Sequence, residues 1–129
     1  MRIEFNNFKA KVDENKLVVD FRHEYRPYKD NDEVVVVCNY LRNCELAKYM
    51  GNGFSDLDFN RLFLDKVEEI RGLVLSFDGR EMEATPEALC EIPFGTSEAQ
   101  KFVSTFIRDV AMHILGGDQL TEDEVKNSD

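Results

Sequence analysis

The sequence predicts an α+β fold, with a small antiparallel sheet of N-terminal strands and a later hairpin packed against three to four helices. Three observations predict it. Residues ahead of Pro27 alternate apolar and polar as half-buried strands do. Asp78-Gly79 lies between two short runs as a hairpin turn pair does. Ser97 to Leu115 repeats apolar residues at helical spacing. A chain of 129 residues is sized for one domain. The expected division is a folded body over 1–117 and an acidic tail over 118–129.

In "RIEFNNFKAKVDENKLVVDFRHEYR", Ile3 and Phe5 share one face, and Leu17, Val19 and Phe21 share another. Asn6-Asn7 and Asp13-Glu14-Asn15 break the runs, so two or three antiparallel strands joined by tight turns are expected. Pro27 ends the last of them. The next piece, "DEVVVVCNYLRNCELAKYM", has two readings. Taken as one helix from Val34, its apolar stripe would contain Glu45 and Lys48. Split at Asn39, it becomes a strand from Val34 to Cys38 buried on both faces, then an N-cap and a helix. That helix would place Tyr40, Leu41, Cys44 and Ala47 on one side. The split is preferred.

Phe59, Phe63, Val67 and Ile70 step by four, four and three, which predicts an amphipathic helix. Ser55 or Asp56 would cap it, and Gly72 would supply the left-handed residue past its end. "LVLSFDGREMEA" follows as the hairpin. Thr85 then caps a short helix with Pro86 at its first position, and Ile92-Pro93 closes it. In the last helix Ala99, Phe102, Val103, Phe106, Ile107, Val110 and Ile114 form one broad apolar face. The tail from Asp118 to Asp129 carries five acids against one lysine and is expected to be disordered.

Hydrophobic residues at 43% suit a packed domain. The net charge of −10 opposes binding to phosphate backbones and anionic lipid, so neither nucleic acid nor membrane is an expected partner. No run approaches the length a bilayer needs, and Met1-Arg2 leads into alternating residues, unlike a signal peptide. Cys38, Cys44 and Cys90 lack a Cys-x-x-Cys pair and are expected as small core residues in a reducing cytoplasm.

Catalytic machinery is not expected. His23 falls in a predicted strand between Arg22 and Glu24, away from any local ligand spacing. His113 lies on the apolar side of the last helix, and a structural role is expected for it. Two separated histidines and scattered cysteines argue against a zinc site, so no metal or cofactor is expected. Glu68 and Glu69 read as a solvated face. Gly51-Asn52-Gly53 lacks the spacing and lysine of a phosphate loop, and no nucleophile elbow occurs. Leu64 and Met112 fall off their helices' stripes, and Leu120 and Val125 stand in the acidic tail. These four are the candidate partner-binding residues.

From Asp56 to Leu115 the order of a helix into "KVEEIRGL", a strand, an Asp-Gly turn, "TPEAL", a proline and a closing helix resembles small phage tail assembly chaperones and related tail-accessory proteins. The resemblance implies a non-enzymatic protein of the bacterial cytoplasm during infection or lysogeny. Its partner would be a long, helical, aggregation-prone tape-measure or other tail protein, held soluble by contact. It implies no catalytic residues. Self-association is a further partner class. The alternative from charge alone is an acidic inhibitor or nucleic-acid mimic that blocks a basic host defence protein. A mimic should gather the −6 of the body into one stripe, whereas a chaperone should scatter it and expose an apolar groove.

Overall fold

The computed structural model describes residues 1–6 and 9–116. In chain order the strands are β1 (Ala10–Asp13), β2 (Lys16–Val19), β3 (Arg22–Tyr25), β4 (Val35–Asn39), β5 (Val67–Arg71), β6 (Val74–Phe77) and β7 (Arg80–Glu83). The helices are α1 (Phe59–Lys66), α2 (Pro86–Glu91) and α3 (Glu98–Ile114), with short 3₁₀ turns at Asn43–Tyr49 and Phe54–Asp56. The α+β class stands, with its strands divided among three antiparallel sheets. β1 pairs β2, β6 pairs β7, and a central sheet has the order β3-β4-β5.

Five consecutive residues, Val34 to Cys38, are buried because β4 lies mid-sheet with both faces covered. Its inner side gives Val34, Val36 and Cys38 to a core shared with Leu62 and Phe63 of α1, Leu89 of α2, and Val103, Phe106, Ile107, Val110 and Ile114 of α3. Each such side chain contributes roughly 1.5–3 kcal/mol before entropy is subtracted. On the outer side Val35 and Val37 pair with Arg71, Glu24 and Glu69. Arg71 bridges Glu24 at 3.3 Å and Glu69 at 3.1 Å, while Arg22 bridges Glu68 at 2.8 Å. On that face the two valines are flanked by these charged residues, whose side chains are each about half exposed.

Two predicted helices are corrected. Asn39 is the last residue of β4 instead of a helix cap, and the segment after it makes only a 3₁₀ turn with Arg42 at its N-cap. Cys44, expected in the core, is exposed, whereas Cys38 is buried. The helix read through Ile70 stops at Lys66. Asp58 caps it by accepting from the Arg61 N–H at 3.1 Å. Val67 and Ile70 are buried on β5, where they face the core from a strand paired with β4. A spacing of three suits this strand because pairing shifts register opposite Val37 and Cys38, so Glu68 and Glu69 both reach solvent. Long-range pairing overrides the local helical period.

Gly72 does adopt a left-handed φ of 78°, but past a strand. A Cβ there would overlap the Glu33 carbonyl, so the chain passes this point only as glycine. The Asp78-Gly79 turn, the Thr85 cap and the Ser97 cap stand as expected. Thr85 accepts from Ala88 N–H at 3.1 Å, and Ser97 and Gln100 form a reciprocal capping box. Ile3 and Phe5 lie outside any strand and are exposed. Phe102 is partly exposed, since the buried face of α3 is turned toward Val103, Val110, Ala111 and His113.

Candidate functional site

One surface begins on β3, whose alternation sends His23 and Tyr25 to the inner side of the central sheet. Pro27 turns the chain away, and Tyr28 lies against α3 with ring centroids 6.0 Å from Phe102 and 6.4 Å from Phe106. Tyr25, Pro27, Tyr28, Phe106, Asp109 and Met112 line an open groove of about 260 Å³. That volume seats one or two apolar side chains, and the Asp109 carboxylate at its edge suits a neighbouring cation. Met112, 43% exposed, belongs to this groove. Leu64 is 39% exposed on α1 but does not line it. Leu120 and Val125 fall outside the described residues.

A second surface is the β1–β2 hairpin. Its register sets Ala10 opposite Val19 and Val12 opposite Leu17, so one face is wholly apolar. The other face carries Lys11, Asp13 and Lys16 beside Val18. Such a pattern normally marks a strand pair packed on a core. Here the hairpin pairs with no other strand, and Val12 and Leu17 are 75% and 68% exposed. No described residue covers them. The β6–β7 hairpin likewise leaves Phe77 and Met82 exposed.

Behind the groove the structure assembles a cluster that local spacing concealed. His23 pairs directly with Cys38 in the β3–β4 register, and His113 descends from the last turn of α3. The two Nε2 atoms are 2.7 Å apart, and Cys38 Sγ is 3.5 Å from His23 Nε2. His23 Nδ1 is 3.0 Å from the Phe21 carbonyl, which also accepts the Tyr40 N–H at 3.1 Å. A carbonyl can only accept, so Nδ1 carries the proton and His23 Nε2 is a lone pair. His113 Nε2–H then donates to it. Tyr40 stacks on His23 at 3.7 Å and Tyr25 on His113 at 3.8 Å, so tyrosine rings flank the pair.

Burial governs the charges of this cluster. It lowers the His23 pKa below its ordinary value, which favours the neutral ring, and pushes the Cys38 thiol up to about 12. A thiol held protonated in this way is no nucleophile at neutral pH. His113 is buried as the sequence implied, but its neighbour is a second imidazole 90 positions away. The missed signal lay in the register of two strands, which a linear spacing search does not see.

Elsewhere carboxylates sit beside cations. Glu45 accepts from Lys66 Nζ at 2.8 Å and from the Arg42 N–H at 3.1 Å, and these bonds hold its carboxyl at about 2. Tyr49 donates its hydroxyl proton to Asp65 at 2.8 Å. Among the described residues no helix is long and apolar enough to cross a membrane. Comparison with protein-family models, curated proteins and solved structures found no match.

Proposed function

We propose that this chain is a non-enzymatic accessory protein that works by touching another protein, as a tail assembly chaperone does in the cytoplasm of an infected or lysogenic bacterium. The observation that carries the reading is the apolar face of Ala10, Val12, Leu17 and Val19, whose two middle residues, Val12 and Leu17, stand in solvent while Ala10 and Val19 are half-buried. An isolated two-stranded hairpin gains little stability in water. One that leaves its apolar side in solvent is better explained by a partner than by folding.

The client of this reading is a long amphipathic helix of the tape-measure kind. Its apolar stripe would lie on the hairpin, and one of its side chains would enter the Met112 groove beside Asp109. The net charge of −10 would keep the loaded complex dispersed. Charge placement supports this reading over an acidic mimic. Glu24, Glu68 and Glu69 are interleaved with Arg22 and Arg71 on the outer sheet face, so those carboxylates do not form a bare row resembling phosphates.

The test is co-purification with a long, heptad-patterned tail protein, alongside light scattering of that protein's aggregation. The wild-type chain is expected to bind it and suppress scattering. V12D/L17D should weaken binding at least about tenfold, the loss of roughly 1.4 kcal/mol from one apolar anchor. Absence of binding by the wild type, or unchanged binding by the double variant, contradicts the reading.

A further inference from the structure

We propose that His23, Cys38 and His113 form a binding site for a thiophilic divalent cation, zinc(II) being the ion whose chemistry fits best. Their ligand atoms all lie within 4.8 Å of one another on the inner side of the central sheet. Two imidazole nitrogens and a thiolate are borderline-to-soft donors. They suit zinc and disfavour magnesium or calcium, which require oxygen.

Three geometric features favour a metal over a plain imidazole pair. The sulfur-to-nitrogen separation of 3.5 Å between Cys38 and His23 is close to the about 3.6 Å that two ligands of one tetrahedral zinc adopt. The Phe21 carbonyl fixes the ring proton of His23 on Nδ1 and directs the Nε2 lone pair inward, the usual arrangement behind a metal-bound histidine. The register shift between Val37 and Cys38 leaves Glu68 of β5 as the extra residue, a local irregularity opposite the thiol-bearing residue and of the kind often found beside functional sites.

The fourth feature requires movement. Two nitrogens bound to one tetrahedral zinc stand about 3.3 Å apart, whereas His23 and His113 are hydrogen-bonded at 2.7 Å. Binding therefore opens the pair by roughly 0.6 Å, a small turn of the half-buried His23 ring on edge strand β3. The balance is simple. The ion displaces the proton shared by the two imidazoles, His113 takes its Nδ1–H tautomer, and the Cys38 thiol gives its proton to solvent. Nothing is oxidised or reduced. Three protein ligands leave a fourth position for water, and the ion ties β3 and β4 to the end of α3. None of this depends on the client proposed above.

The experiment adds cobalt(II), then zinc(II), to the chelator-treated full chain under reducing conditions. One cobalt per chain should bind with a thiolate-to-cobalt charge-transfer band, and zinc should displace it and raise the melting temperature. C38S and H113Q should each lose the band and weaken zinc binding by more than about 100-fold, beyond the loss of an outer contact. C44S/C90S should retain both. Circular dichroism establishes whether each variant is folded, and the half-buried position offers H23Q as a second ligand variant should H113Q unfold. Absence of the band in the wild type, or a band that survives C38S and disappears in C44S/C90S, overturns the site and leaves a purely structural histidine pair.

Discussion

His23 on the edge strand of the central sheet and His113 on the last turn of α3 meet Nε2 to Nε2 at 2.7 Å. The contact joins the edge of the central sheet to the end of the last helix, and Tyr25 and Tyr40 stack against its two rings. H113A should therefore remove a buried hydrogen bond and an aromatic stack together. The expected cost is about 2–3 kcal/mol, read as a lowered urea midpoint with an unchanged slope. An unchanged midpoint would show that the pair contributes nothing to folding.

Glu45 gives the fold its clearest acid dependence. Its carboxyl lies at about 2 against an ordinary 4.5, chiefly through the Lys66 hydrogen bond. Because the folded-state value is the lower one, the stabilisation is present above about pH 4.5 and is lost as pH falls toward 2. E45Q should lower stability at neutral pH by about 1–2 kcal/mol and flatten this acid slope. Urea titrations from neutral pH to pH 2 check both the size and the sign.

Gly72 separates a shape requirement from a packing one. With φ at 78° and the Glu33 carbonyl where a Cβ would stand, G72A forces both strain and overlap. A loss of at least about 2 kcal/mol is expected, more than left-handed strain alone supplies. G79A is the control. Gly79 also has a positive φ, of 86°, but open space around it, and it lies in a hairpin outside the central sheet. Its effect on the main unfolding transition should be the smaller one.

The parts of the fold legible in sequence were those fixed locally. Ser97 with Gln100, Thr85 with Pro86, and Asp78 with Gly79 each define an end or a turn within four residues. The parts that escaped were fixed by distant partners. Val67 and Ile70 continue a helical period on paper, yet β4 captures them as a strand. Asn39 looks like a cap, yet Arg22 pairs with it across the sheet. The histidine cluster was hidden for the same reason, since strand register and a helix end bring its members together. Leu64 and Met112 leave the apolar stripes of their helices in the same way, yet of the two only Met112 lines the groove, because the elements packed beside a helix decide which off-stripe residue borders one.

The β1–β2 hairpin should be nearly irrelevant to folding. V12S/L17S is expected to leave the unfolding free energy within about 0.5 kcal/mol of wild type, because neither side chain is buried. The same variant should bind less of a hydrophobic dye. A large destabilisation would mean that this apolar face packs against the chain itself.

The most direct measurement of action by contact is hydrogen–deuterium exchange of this chain with and without the long helical tail protein proposed as its client. The account predicts added protection over Ala10–Val19 and around Tyr25, Tyr28 and Met112, with the outer face of the central sheet unchanged. Protection confined to that charged outer face, or none at all at saturating partner, would contradict it.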